Sequence, residues 1–402
     1  MKSIVNRNRL FVLSLITCFI SCSQVGSDNQ VVKIVAVQYN EVHSFSEGMS
    51  RVKKGGEYGF VDASGKEIIP CRYDAAVDFS DGLAWVSRAG FSGFINKTGE
   101  EVLPCDYKVV SLIGYTPGFS NGRALVEFEG KKGFIDKSGN LVTQFVYSLA
   151  RPFADGFAWV TKDGRNWEFI DTTGRYCGRA PGLYDVHPYD FREGVAKIES
   201  TYDGKWYYKF IDKTEKKVVP ASGGHWTGIG TSDRLGDYCS EGRIYYASRA
   251  GDGFFNKEGY EIIPAQYAEA HNFSEGLAGV ESYSNLKWGF VNDIGEEIIP
   301  FQYDYADSFS EGLALVERDG RYGFINRTGE EVIPCKYKCP NMPGKFSNGL
   351  AFVQNERYKY GFIDTTGNVV VPFEYDEITD FHDGAAWLCK KDKWMLAIVN
   401  TQ

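Results

Sequence analysis

A short pattern, Phe-x-acid-or-Asn-Gly, recurs along almost the whole chain. It begins at Phe45, Phe79, Phe119, Phe153, Phe191, Phe273, Phe309, Phe346 and Phe381. A tenth copy carries Cys239 in place of the Phe, before Ser240-Glu241-Gly242. Successive copies lie 34 to 40 residues apart, except for 48 between Phe191 and Cys239. A chain of 402 residues would ordinarily read as two or three domains. A period this regular instead predicts one architecture made of stacked copies of a small unit.

Each copy reads as strands. After the Gly, alternate positions hold Ala84/Val86, Ala124/Val126, Ala158/Val160, Ala278/Val280 and Ala314/Val316. That is the period of two expected of a strand with one constrained face. A position that accepts only Ala predicts a very close neighbour, such as the adjoining copy. The opposite face varies (Trp85, Leu125, Trp159, Lys197, Gly279, Leu315, Phe352, Trp387) and reads as a looser second core or a surface. A second strand follows a Gly-containing hairpin turn and holds a Gly-Phe pair, as at Gly59-Phe60 and Gly323-Phe324. Glu168 and Lys209 replace the Gly in two copies. A Gly within a strand predicts close backbone approach or a bulge. Two residues after the Phe stands Asp or Asn, and Gly follows three later in all but one copy, the signature of an Asx-capped type I turn. A short apolar third strand then ends at Pro70, Pro104, Pro264, Pro300, Pro334 or Pro372, with Tyr three residues on.

The expected unit is a three-stranded antiparallel β-meander of about 36 residues, in an all-β tandem array of about nine repeats and a truncated tenth. One unit cannot bury its apolar face, whereas stacked units can. Two arrays fit: an open, twisted, solenoid-like one and a closed β-propeller-like ring. Ring blades usually have four strands and about 40–50 residues, and unequal spacing suits a ring less well, so the open array is the expectation. A fourth strand hidden between the Tyr and the next Phe would favour the ring. The glycine and aromatic excess of the composition, 45 Gly, 28 Phe and 25 Tyr, follows from these recurring positions.

The composite pattern resembles the bacterial WG-repeat family, also called KWG repeats, after the Trp-Gly seen here in Lys287-Trp288-Gly289 and matched by Tyr58-Gly59, Tyr322-Gly323 and Tyr360-Gly361. The resemblance covers roughly residues 41–400. It implies a repeat architecture and a secreted or surface-associated bacterial setting, and it carries no catalytic residues.

The N-terminus reads as a targeting segment. Lys2, Arg7 and Arg9 precede an apolar stretch from Leu10 to Ile20, too short to span a bilayer. Phe19-Ile20-Ser21-Cys22 resembles a lipoprotein lipobox, with a small residue before the cysteine that would be lipidated. Cys18 is the rival acceptor, and an ordinary cleaved secretory signal is the other alternative. Residues 1–21 are thus expected to be a lipoprotein signal peptide, 22–40 a tether and leading segment, and 41–402 the repeat array. The expected location is the bacterial cell envelope, on either face of the outer membrane, or outside the cell if the signal is only cleaved. Contact with the membrane would run through the lipid alone.

The formal net charge is −9, and −12 without residues 1–21, which argues against nucleic acid as a partner. Of nine cysteines, Cys18 and Cys22 belong to the signal, while Cys71, Cys105 and Cys335 share one repeat position, a small apolar slot rather than a disulfide framework. The anchor acids read as turn residues, since Asn121 and Asn348 replace them without other change. His43, His271 and His382 sit at framework positions. No phosphate loop, catalytic Ser-His-acid arrangement or metal-ligand spacing is present, so no cofactor and no metal are expected. The pattern breaks at 176–238, where Arg179 and Gly182 stand in place of the Pro and Tyr. His187, Trp206, His225 and Trp226 make this stretch the candidate binding site, since irregular loops on rigid scaffolds often carry recognition. The expected function is a non-catalytic binding or scaffold surface for a protein or glycan partner. The alternatives are a purely structural envelope spacer and a hydrolytic enzyme with its site in 176–238.

Overall fold

The structure, a computed structural model, describes residues 31–107, 117–180, 186–202, 205–214, 234–248, 250–338 and 343–400. These form nine antiparallel hydrogen-bonded sheets. The seven-stranded one holds two repeat units joined through the long strand Glu261–Ala270. The described residues therefore form ten units, one for each anchor, called here sheets one to ten from Phe45 to Phe381.

Sheet one shows how the pattern folds. Its strands, Glu41–Ser46, Met49–Lys54, Glu57–Asp62 and Glu67–Tyr73, pair in sequence order. Glu47 (φ 53°) and Gly48 (φ 78°) make the first turn, both in the left-handed region that a two-residue type I′ turn requires. Asp62 Oδ1 accepts the amides of Ser64 at 2.9 Å and Lys66 at 3.0 Å, the Asx cap expected of the second turn. The expectation of three strands is short by one in most units, while sheets three, five and nine have three among the described residues. The segment between Tyr and the next anchor supplies a brief first strand, as at Ala75–Ala76, Tyr305–Ala306 and Glu377–Ile378.

The Gly before the strand-two Phe has a specific cause. A Cβ on Gly59 would lie 2.5 Å from the Ile69 carbonyl oxygen and 2.6 Å from the Cys71 nitrogen, backbone that cannot yield. The pairing slips on both sides of Phe60, so the Pro-bearing strand bulges against the glycine. In sheet four no Pro is present, and Glu168 pairs with Arg179 without that crowding.

Both faces of each sheet are core. Ala84 and Val86 of sheet two pack on Phe60, Ile69 and Tyr73 of sheet one. Trp85, on the opposite face, packs with Phe94 toward Phe119 and Ala124 of sheet three. The variable face is thus a second core: Trp85, Leu125, Trp159, Lys197, Leu315 and Trp387 are all buried. The restriction to Ala arises because the preceding sheet's Phe and Ile sit directly on that position.

The expected open array is corrected by the chain ends. Val31–Ala36, within the stretch read as tether and leading segment, pairs along its whole length with Lys393–Asn400 and becomes the outer strand of sheet ten. It replaces the Pro-bearing strand that the truncated tenth copy lacks. Phe45, Val52 and Val61 of sheet one then form one core with Ala385, Trp387 and Leu396 of sheet ten. Ten units, each touching the next by the same contacts and the last touching the first, make a closed, propeller-like ring. Closure covers the two apolar end faces that an open array leaves in water. The uneven spacing does not oppose it, because the units on either side of the longest intervals keep the same latch from turn to turn.

Candidate functional site

The repeated acids do more than shape turns. Each sends its side chain to the amide of the Gly, or of its neighbour, in the next sheet's turn. Gly82 N donates to Glu47 at 2.9 Å, Gly122 N to Asp81 at 2.6 Å, Gly156 N to Asn121 at 2.5 Å, and Gly194 N to Asp155. Gly242 N donates to Glu193 and Gly276 N to Glu241, both at 2.8 Å, and Gly312 N to Glu275 at 3.1 Å. Gly349 N donates to Glu311 at 2.8 Å, Gly384 N to Asn348 at 2.9 Å, and Gly48 N to Asp383 at 2.7 Å, which closes the circle. The serine after the Phe adds a second tie: Ser46, Ser80, Ser274 and Ser310 donate to the Phe79, Phe119, Phe309 and Phe346 carbonyls. These turns therefore form a continuous latch from sheet to sheet. The left-handed backbone of Glu47 and its equivalents costs about 1 kcal/mol or more for a non-Gly residue, and the inter-sheet hydrogen bond offsets it. Asn121 and Asn348 serve because the latch needs an acceptor, not a charge.

With acids, serines and glycines engaged in the latch, the positions free to differ are the two residues ahead of each anchor Phe. Most of these side chains are held locally. His43 meets Glu41 at 2.8 Å and Arg51 at 3.0 Å. His271 packs at a tilt on Trp288, with ring centroids 4.6 Å apart, and burial lowers its pKa despite the opposing pull of Asp307 and Glu269. Arg151 pairs with Asp190 at 2.7 Å.

At sheets eight to ten the same positions border a cavity of about 520 Å³. Its walls include Asp307 from sheet eight, Gly344, Lys345 and Phe352 from sheet nine, and Asp380 and His382 from sheet ten. Latch residues Ser310, Glu311 and Ser347 lie beneath. Lys345 Nζ meets Asp307 Oδ1 at 3.0 Å. Asp380 is exposed as a residue, yet protein packed about its carboxyl raises its pKa, against the lowering influence of His382. A Cβ on Gly344 would lie 2.5 Å from the Phe352 ring and 2.9 Å from Asp380 Oδ1. The glycine thus lets the half-buried ring and the carboxylate meet over bare backbone.

Of the residues singled out from the sequence, the described His187 and Trp206 do not line this cavity. His187 is exposed on the strand Val186–Pro188 of sheet five, opposite Glu199. Trp206 pairs with Thr201 at the tip of the next hairpin. His225 and Trp226 lie outside the described residues, as do Cys18 and Cys22. Sequence reasoning set His382 aside as framework and passed over Gly344, Lys345 and Asp380. The available signal was Pro343-Gly344-Lys345, an unusual approach to an anchor where other copies hold His43, Arg151, His271 or Asp307.

Eight segments match the WG containing repeat: residues 32–58, 58–90, 93–131, 133–165, 253–283, 288–322, 322–358 and 360–394. No curated protein matches the chain. Among solved structures, the extracellular domain of the putative hybrid two-component system BT3049 from B. thetaiotaomicron is similar at 11% identity and TM-score 0.27, over 88% of this chain and 55% of that one. BamB from Moraxella catarrhalis is similar at 12% identity and TM-score 0.33, over 92% of this chain and 99% of that one. The WD40 β-propeller domain of Doa1 is similar at 10% identity and TM-score 0.26, over 63% of this chain and 92% of that one.

Proposed function

The chain belongs to the WG-containing repeat family, and from that premise we propose that it is a non-catalytic binding ring, lipid-anchored at Cys22 in the bacterial cell envelope, that engages a protein or glycan partner. One observation carries the reading. The repeated polar residues are engaged between sheets, while the chemistry that differs between sheets gathers ahead of the anchors and lines a cavity. A rigid frame with locally varied side chains is what a binding scaffold requires. The spacer alternative loses support from closure, since a ring cannot be lengthened by adding units. Eight residues lie between Cys22 and Val31, so a lipid there would hold the closing strand within about 30 Å of the membrane.

Two experiments test this. Membrane fractionation of cells should find the intact protein in the membrane and the Cys22→Ser variant in the soluble fraction. Continued membrane lipidation of that variant would move the acceptor to Cys18. The purified full chain, immobilised and exposed to envelope extract, should retain a defined component at stoichiometric yield. Retention of nothing would favour the spacer, and turnover of a component would favour an enzyme.

A further inference from the structure

Resting on that binding reading, we propose that the cavity between sheets eight and ten is a subsite for one uncharged sugar residue, stacked on Phe352 and hydrogen-bonded by Asp380, His382 and Lys345. The wall of this opening is built around a glycine, whose bare backbone lets Phe352 and Asp380 come together. The position two residues before the anchor carries His43, Arg151, Tyr189, His271 and Asp307 in other sheets, and Gly344 in this one. Sheet nine also has no short first strand among its described residues, where sheets eight and ten each have one. The cavity, about 520 Å³, lies in the range of small-ligand sites and exceeds what a single pyranose needs.

The lining selects the ligand class. The Phe352 ring is half-buried, held between the Gly344 backbone, Tyr360 and the sheet-ten core, and its remaining surface gives the cavity a fixed apolar wall for the C–H face of a sugar. Around it stand charges of both signs. The Lys345 ammonium disfavours a cation, and Asp307, Glu311 and Asp380 together disfavour an anion. A polyol meets neither objection, because each hydroxyl donates to a carboxylate and accepts from an ammonium or imidazole. Lys345 is held at the rim by Asp307 at 3.0 Å, so its orientation is set before a ligand arrives.

The test is calorimetric titration of the detergent-solubilised full chain with glucose, galactose, mannose and N-acetylglucosamine, with putrescine and glucuronate as charged probes. At least one neutral sugar should bind with a Kd of about 1 mM, and Phe352→Ala and Asp380→Asn should each weaken it by about tenfold. The Asp380→Asn variant preserves shape at an exposed residue and should unfold at the wild-type temperature, which keeps the test valid if Phe352→Ala is destabilised. Binding of putrescine or glucuronate in place of every neutral sugar overturns the proposal, as does sugar binding that neither variant alters, or no binding at all. In each of those cases, continued retention of an envelope component by the same protein leaves the broader binding reading standing, and loss of both removes it.

Discussion

Two interfaces of the ring use the same chemistry with different connectivity. Between sheets four and five, Trp159 Nε1 donates to the Tyr189 carbonyl at 2.8 Å and its ring stacks on the anchor Phe191 at 5.4 Å and 15°. Between sheets ten and one, Trp387 Nε1 donates to the His43 carbonyl at 2.9 Å and its ring stacks on the anchor Phe45 at 5.8 Å and 16°. The first pair of sheets is consecutive in the chain. The second joins its two ends and depends on Val31–Ala36 to complete sheet ten. Sheet ten also departs from the glycine rule: Met395 stands where most sheets have Gly, opposite Ala36, in a ladder with no slip. Where a Pro-bearing strand lies beside it, that strand and not the fold of the unit requires the glycine. Where that strand is replaced, a large side chain returns.

The largest expected effect tests whether closure is a distinct event. Trp387→Ala and Trp159→Ala should each cost about 3–5 kcal/mol, because both indoles are fully buried. Only Trp387→Ala should also enlarge the molecule in small-angle scattering, since it loosens the one interface without chain continuity. Equal scattering profiles for the two variants would mean that strand pairing alone holds the ring shut.

Next in size is the glycine rule. Gly59→Ala should cost about 3 kcal/mol, because the new methyl meets backbone at 2.5 Å, whereas Met395→Ala in the closing sheet should cost about 1 kcal/mol. Thermal unfolding measures both, and similar losses would break the link between Gly and the Pro-bearing strand.

The smallest effects concern the latch. Asp383→Asn keeps the acceptor for Gly48 N and should stay within about 0.5 kcal/mol of wild type, while Asp383→Ala keeps the left-handed strain and loses the bond, costing about 1 kcal/mol. The same exchanges at Asp81 should match in stability, but only those at Asp383 should speed ring opening, read as hydrogen exchange of Val31–Ala36. The latch also predicts a pH response. Burial alone would raise the Glu193 pKa, but the Gly242 and Glu241 amides and Lys257 outweigh it and hold it below 4.5. A lowered folded pKa contributes stability above the unfolded value and loses it as pH falls through the folded one. Between pH 7 and pH 3, Glu193→Gln should therefore lose less unfolding temperature than wild type, and an equal loss would place the acid sensitivity elsewhere.

Much of the unit was legible in the sequence, for local reasons. The Asx turn follows from Asp62 and Gly65, the strand from the alternation of Ala84 and Val86, and close backbone approach from Gly59. The fourth strand was not legible, because a pair such as Ala75–Ala76 is too short to show a period. The latch was half legible: the acids were placed in turns, but the partner of Glu47 is Gly82, one whole unit away. The cavity was not legible as a site, because its walls come from three sheets that no local pattern joins. The 176–238 irregularity drew the eye because it departs from the pattern, while Lys345 and Asp380 sit inside copies that keep it.

By itself the sequence determined the unit, its number of copies and its all-β character, because turns and strand periods depend on residues within a few positions of one another. The tertiary structure alone decided that the array closes, since closure depends on Val31–Ala36 meeting a strand more than 350 residues away. Local periodicity cannot encode the angle between neighbouring units. That angle is set by how Trp, Phe and Ala pack across each interface, and summed over ten interfaces it brings the last sheet back to the first.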